Sequence, residues 1–374
     1  MLLIDAAAKV VFDWRRRNFL LLVFAAMLVK TGIWHIPNIN ETIAFARNPF
    51  VVPFDDPLKQ YLLTNWLSPF IAWAIGATSD AGFALLHLGF AVAFTALFTW
   101  LCFHRLPERE ARIAMVIFAS LPASTTAYFW VGMDGLTLLL MLTVAASDRR
   151  PWLAGLFGIA LGLQHFEQGF VGLSVLLFAV LFAARLQQDE EAYPWRAVAF
   201  AWMGVILGKI LLVLIFWKAG MDVAGRDTWF ITHWRMLQDQ FWLHTQVVVW
   251  SVLGPGWFMA MRYADRGRRS LPFFLALFGV LPLLMFVGDQ TRVLAIVTFP
   301  LILTFWLTQR SVLAEVTRLQ AGGLLLLWLV IPWVWVWGGQ PRWSVFPYGI
   351  AFAIGKLTGW YQLPAVDIGD WPFR

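Results

Sequence analysis

The sequence predicts an all-α fold, a polytopic bundle of about eleven transmembrane helices within a range of roughly ten to thirteen, with the N-terminus cytoplasmic. Three observations carry this expectation. First, 60% of the 374 residues are hydrophobic and 13% charged, and the mean hydropathy is +0.70. A water-soluble domain leaves roughly a quarter of its extended-chain surface exposed even at ~300 residues, so it cannot hide so much apolar side chain. Second, the apolar residues come in runs of membrane-spanning length separated by short polar connectors. Third, the basic residues alternate between those connectors.

The runs are read in order. They are Asn18–Ile36, Phe83–Phe103, Ile113–Trp130, Leu136–Ala146, Trp152–Leu163 and Phe170–Leu186, then Ala197–Trp217, Val247–Met261, Leu271–Val287, Val293–Leu307 and Gly322–Trp337. Leu136–Ala146 and Trp152–Leu163 are short for a ~30 Å hydrocarbon core and need flanking residues or protein burial to complete a crossing. With Arg15, Arg16 and Arg17 inside, strict alternation also places Arg105, Arg109, Arg112, Arg149 and Arg150 inside. Arg185, Arg196, Arg262, Arg266, Arg268, Arg269, Arg310 and Arg318 follow on that face. The opposite face receives scattered bases such as Arg47, Lys59, Lys218, Arg226, Arg235, Arg292 and Arg342. The positive-inside rule demands this asymmetry, and one missed span would invert everything after it.

No linker, low-complexity tract or repeat divides the chain, so residues 1–374 read as one transmembrane domain. The basic N-terminus has no clear small-residue cleavage site, so the first run reads as a retained signal anchor. The single Cys102 excludes an intramolecular disulfide. Net charge +6 is a topology signal here, because the bases sit between apolar runs, and it is no sign of a nucleic-acid partner. The 23 Trp and 33 Phe include many expected at the membrane interfaces.

Elaboration is expected on the outer face. Residues 37–81 form a first outer loop, in which Leu62–Ala77, interrupted by Pro69, reads as a re-entrant or interfacial helix. Residues 218–246 form a second, amphipathic loop. There Trp229, Phe230, Trp234, Leu237, Phe241 and Trp242 are interleaved with His233, Arg235 and Asp239, a pattern that suits a helix in the headgroup layer. Pro347–Lys356 is a further short apolar segment.

Candidate chemistry lies on that same side. Asp55 and Asp56 stand between Pro53 and Pro57, which restrict the backbone; they read as a general base or as solvated carboxylates of a turn. Asp134 reads as a helix cap or a site residue. His165 and Glu167, in Gln164-His165-Phe166-Glu167-Gln168, read as cavity-facing groups or as a polar turn at the headgroups. Asp289 and Arg292 are spaced for an intrahelical ion pair, or Arg292 for a phosphate, which suits its planar donor fork. Lys30 and Lys209 interrupt apolar runs: Lys30 snorkels or reaches a phosphate, and Lys209 pairs with an acid or faces a cavity. His87 reads as a histidine hydrogen-bonded within the bundle. Because these polar groups share one predicted leaflet, an outward pocket lined by acids with one or more bases is the economical account.

A basic N-terminus, a first span, a large outer loop bearing Asp55 and Asp56, Gly132-Met133-Asp134-Gly135-Leu136 and the Asp148-Arg149-Arg150-Pro151 turn together form a pattern. With Leu153-Ala154-Gly155-Leu156 and the polar Gln164-His165 end, it resembles the polytopic membrane glycosyltransferases of the GT-C fold that use polyprenyl-phosphate-linked sugars. The resemblance covers the first half of the chain; the second half matches in hydropathy.

The resemblance implies a sugar moved from a polyprenyl-phosphate donor to a glycan or lipid acceptor, on the outer face of a bacterial inner membrane. It makes an acid of the first outer loop, Asp55 or Asp56, the catalytic base. Arg292, Lys218, Arg226 and Arg235 become candidates for holding the leaving phosphate, with Asp134, His165, Glu167 and Asp289 in the substrate pocket. No cofactor is called for and no divalent metal is indicated. The competing readings are a transporter, flippase or polymerase of a lipid-linked glycan and a non-catalytic scaffold of a polysaccharide assembly.

Overall fold

A computed structural model describes residues 1–32, 38–129, 131–186, 194–223, 226–243, 245–331, 333–337, 340–343, 354–355 and 357–359. The helices are α1 Leu2–Phe12, α2 Arg16–Thr31, α3 Ile39–Arg47, α4 Leu67–Ala74, α5 Asp80–Arg105 and α6 Glu108–Ser120. They continue with α7 Pro122–Phe129, α8 Met133–Ala146, α9 Pro151–Leu186, α10 Trp195–Ala219, α11 Arg226–Leu243 and α12 Thr245–Leu253. The last are α13 Trp257–Ala264, α14 Leu271–Val280, α15 Gln290–Ile302, α16 Arg310–Ala314 and α17 Arg318–Val330.

Among the described residues, four helical runs are long and apolar enough to cross a membrane: Asp80–Arg105, Pro151–Leu186, Trp195–Ala219 and Gln290–Leu307. Much of the surface of the first three faces outward with Leu, Phe, Val and Trp exposed, as on Leu207, Ile210, Val213 and Leu214 of α10, while Gln290–Leu307 is largely buried among the other helices. Only lipid makes such a surface stable, and the chain is an integral membrane protein of the all-α class. One element departs from the helical expectation. The last run was expected to extend to Trp337, but α17 ends at Val330. The chain continues as strand β1, Val334–Trp337, paired antiparallel with β2, Gln340–Trp343, in the register Val334 to Trp343. Segment 347–356 lies almost entirely outside the described residues.

The 36-residue α9 is a hairpin of two limbs. His165 has φ −159° and ψ 85°, which no helix contains. A straight helix would place residues 161 and 169 ~12 Å apart along its axis. Instead, a Cβ added at Gly169 would come within 2.7 Å of the Leu161 side chain. One level of α10 also touches both limbs: Ala201 and Gly204 meet the backbone of Gly158 and Gly155, while Trp202 donates to Ser174 Oγ at 2.8 Å. The chain therefore runs out along 151–164, turns at His165 and returns along 166–186.

Glycines make this close packing available. A Cβ at Gly158 would stand 2.2 Å from Ala201 O, one at Gly204 2.2 Å from Gly155 O, and one at Gly208 2.3 Å from Ile159 O. Small residues at a helix crossing let backbones touch where lipid supplies no hydrophobic drive for association. At the centre of the bundle, α6 is buried on every side from Glu110 to Ser120, the position expected for a helix that is apolar all round.

A network of arginines ties one end of the bundle together. Arg16 pairs with Glu108, Arg318 with Asp13 at 2.8 Å, Arg266 with Glu315 at 2.6 Å and Arg105 with Asp148 at 2.9 Å, while Arg112 donates to Val11 O at 2.8 Å. Asp134 and Asp148 flank opposite ends of α8, ~20 Å apart by helical rise. The other end, where α8 and α15 begin and α9 turns, carries a cavity.

Candidate functional site

The cavity has a volume of about 610 Å³. Its walls come from α8, the α9 turn with its returning limb, α11, the 3₁₀ turns Gln60–Thr64 and Leu281–Phe286, and the start of α15. Charged and polar groups enter near the turns: His165, Glu167, Asp289 and Arg292, with Asn38 and Asn65 from the segment before α4. Farther along the same helices the lining becomes apolar, through Val171 on α9 and Val293 and Val297 on α15. The segment Leu281–Phe286 adds Leu283, Leu284 and Phe286. Val297 lies ~12 Å beyond Asp289 by helical rise, and its carbonyl is 3.1 Å from where a Cβ at Gly172 would stand, so α15 and the returning limb of α9 reach this apolar level together. The cavity thus runs from a charged end to an apolar one, and Leu283 and Phe286 also lie on the protein's exterior at 42% and 44% exposure.

Arg292 organises the charged end. Its Nε donates to Asp134 Oδ2 and its Nη2 to Asp134 Oδ1 at 3.2 Å, a bidentate pair; Nη1 donates to Asp289 Oδ2 at 2.9 Å. The intrahelical pair expected of Asp289 and Arg292 is present, but Arg292 is shared. Asp134, 1% exposed, does not cap α8: the helix begins one residue earlier, at Met133, and the carboxylate turns to the arginine of α15. Two carboxylates against one guanidinium leave the cluster net negative. Among the described residues, three of the five guanidinium N–H groups are engaged, which leaves two for a further acceptor.

The start of α15 is held from behind by β1. Val336 N–H donates to Thr291 Oγ1 at 2.9 Å, and the Thr291 hydroxyl meets Ser251 Oγ at 2.7 Å. Trp335 lies beside the Asp289 carboxylate. The α9 turn is held by Gln164, which accepts from Ser68 N at 2.9 Å and donates to Met133 O at 2.9 Å. Next to it, buried His165 faces Glu167 Oε2 through Nδ1 at 3.5 Å. Although two residues apart, the two sit side by side because the backbone is not helical at His165.

The remaining sequence candidates are elsewhere. Asp55 and Asp56 lie on an exposed loop and do not line the cavity; Asp56 Oδ1 accepts from Leu58 N at 3.0 Å in a side-chain-to-backbone turn. Nearby, Lys59 bonds Glu41 at 2.6 Å and holds that carboxyl below its ordinary range. Lys218 is exposed, and Arg235 is exposed with its guanidinium over the Trp234 ring at 5.6 Å. The side chain of Arg226 is outside the described residues. Lys209 sits over the Phe166 ring at 5.3 Å. Lys30 neither snorkels nor reaches the cavity: buried, it donates to the carbonyls of Trp328 and Ile331 at the end of α17. His87 bonds Phe83 O and Ser68 Oγ within the bundle, at 2.8 and 3.0 Å.

Sequence reasoning did not single out Tyr61 or Asn65, and named Gln168 only as part of the polar segment Gln164–Gln168, yet all three line the cavity. Asn65, a lone amide inside an apolar stretch, was the available signal. Among the described residues, no group of three or more His, Cys, Asp or Glu side chains is placed to hold a metal ion.

Fold and site together define a helical integral membrane protein with a cavity charged at one end and apolar at the other. The chain is similar to proteins named undecaprenyl phosphate-alpha-4-amino-4-deoxy-L-arabinose arabinosyl transferase. The one from Pectobacterium carotovorum is 23% identical over 292 residues, 69% of this chain and 48% of the relative. Two from Sodalis glossinidius are 26% identical over 299 residues (71% of this chain, 49% of the relative) and 27% over 271 (62% and 45%). The chain spans about half the length of the curated relatives it matches. No protein-family model matches it, and no solved structure does. These relatives agree with the resemblance to polyprenyl-phosphate-dependent membrane glycosyltransferases read from the residues.

Proposed function

We propose that this chain is a membrane glycosyltransferase that takes a sugar from a polyprenyl-phosphate donor, of the kind named for its relatives, and places it on a glycan or lipid acceptor at the periplasmic face of a bacterial inner membrane. The observation that carries the reading is the polarity gradient of the cavity. An isoprenoid phosphate sugar is an amphiphile whose charged, hydroxylated head and apolar tail match the two ends, and the exposed Leu283 and Phe286 provide an apolar border to the bilayer. The alternating loop charge supports about eleven spans with the charged end outside.

In this mechanism a carboxylate removes the proton of the acceptor hydroxyl as its oxygen bonds to the anomeric carbon. The bond from that carbon to the phosphate oxygen breaks, and the phosphate departs with its electron pair. The resemblance assigns the base to Asp55 or Asp56; the cavity offers Glu167. The leaving phosphate meets the free N–H groups of Arg292, with Lys218, Arg226 and Arg235 on the outer segments as further cations. Asp134 and Asp289 fix the guanidinium so that it need not reorganise.

The test is turnover of undecaprenyl-phosphate aminoarabinose by the full chain in nanodiscs, beside Asp55→Asn, Asp56→Asn and Glu167→Gln. Loss of the base should lower kcat about 100- to 10,000-fold while leaving donor binding intact. If all three variants turn over like the parent, the assigned chemistry is wrong.

A further inference from the structure

Two amides in the cavity wall have an unmet hydrogen-bonding atom. Asn65, 2% exposed, precedes α4; Gln168, 4% exposed, lies on the returning limb of α9. Both line the cavity, and among the described residues neither Asn65 Oδ1 nor Gln168 Oε1 has a hydrogen-bond partner. Gln164, across the turn from Gln168, shows what a structural amide does here: its oxygen accepts from Ser68 N and its nitrogen donates to Met133 O.

The backbone beside each amide is held in place. The backbone beside Asn65 is pinned by Trp66 N to Leu163 O at 3.2 Å and by Trp66 Nε1 to Pro49 O at 2.9 Å. Gly169, next to Gln168, is packed against Leu161 so closely that a Cβ would meet it at 2.7 Å. A buried polar atom without a partner is a persistent free-energy cost, and at a cavity wall the partner can come from a ligand.

The chemistry of that ligand follows from the amide. Turning a carboxamide by 180° exchanges its oxygen and nitrogen at almost no steric cost, so the wall can present an acceptor or a donor. A hydroxyl, which is both, satisfies either orientation. An anion offers only acceptors and would satisfy only the orientation that presents the nitrogen. Two aromatic side chains complete the chemistry: Tyr61 and Trp229 line the same cavity with ring centroids 6.1 Å apart and planes inclined by 55°. Flat apolar rings beside hydroxyl-seeking amides suit a sugar ring, which is apolar on its C–H faces and polar around its rim.

Resting on the transferase reading above, we propose that Asn65 and Gln168 form the subsite that reads the hydroxyls of the transferred sugar, flanked by Tyr61 and Trp229. They are specificity-determining residues and take no part in proton transfer.

The experiment titrates the full chain in nanodiscs, by tryptophan fluorescence and native mass spectrometry, with undecaprenyl phosphate, its aminoarabinosyl and glucosyl forms, and monodeoxy versions of each sugar. The parent protein should bind at least one glycosylated lipid more tightly than the bare phosphate. Removing a hydroxyl read by the subsite should cut that affinity about 10- to 100-fold. Asn65→Leu and Gln168→Met should abolish the preference for the sugar while affinity for the bare lipid phosphate stays within about twofold.

If every deoxy analogue binds like its parent sugar, or the glycosylated and bare lipids bind alike, the subsite is wrong and donor binding still stands. Variants that fold and keep the full preference overturn it equally. If the parent protein binds none of these lipids, the transferase reading falls and the subsite falls with it. The deoxy series uses the unaltered protein, so it decides the question even where a variant fails to fold.

Discussion

Asp134 gives its carboxylate to an arginine 158 positions away, and Arg292 shares itself between that carboxylate and Asp289. Removing the shared guanidinium leaves two buried carboxylates without a counter-ion, so Arg292→Ala should destabilise the protein by about 3 kcal/mol. Thermal unfolding in detergent reads this, and an unchanged midpoint would show that the cluster contributes nothing to the fold. Local spacing made the Asp289–Arg292 pair legible, because residues three apart on a helix are neighbours. Asp134 was legible only as a polar residue at a helix start, and nothing local distinguishes a cap from a long-range ion pair. Lys30 shows the same limit. Its charge inside an apolar run was plain, but its acceptors, the carbonyls at the end of α17, are some 300 residues distant.

At the scale of elements, the turn of α9 and the seam between α9 and α10 position the cavity. Gly204→Ala would set a methyl group 2.2 Å from Gly155 O, so the helices must separate. The expected cost is about 1–3 kcal/mol, measured as loss of thermal stability. Gly89→Ala is the control: it lies mid-helix on α5 with nothing within 4 Å of the added Cβ, and should be neutral or slightly stabilising. Equal losses at both positions would refute the close-packed seam. The two apolar runs around 164–168 were readable as separate, since polar residues between apolar runs mark a place where the chain can leave the hydrocarbon. That these runs stack face to face with α10 across both was not readable, because glycine signals room for close approach without naming the neighbour. The helix Arg226–Leu243 is half legible for a similar reason. Its aromatics were evident, but which of them turn inward is set by contact: Leu237 and Phe241 are buried while Trp234 and Trp242 stay exposed.

Across the whole molecule the arginine-rich ion pairs occupy one end and the cavity the other, ~20 Å apart along α8. In a Cys102→Ala background, Arg149→Cys and Asp55→Cys should therefore react with an impermeant thiol reagent from opposite sides of oriented vesicles. Labelling of both from one side would refute the charge-derived topology. The sequence by itself determined the solvent of this protein, the helical class and the approximate placement of its polar segments. Hydropathy and charge act residue by residue against the bilayer, so they can be summed along the chain. The tertiary structure decided which of those polar groups meet: His165, Glu167, Asp289 and Arg292 at one cavity with Asp134 paired to Arg292, Asp55 and Asp56 outside it, and Asn65 and Gln168 within it. Convergence depends on helix rotation and crossing, which are fixed by packing between distant segments and leave no local signature.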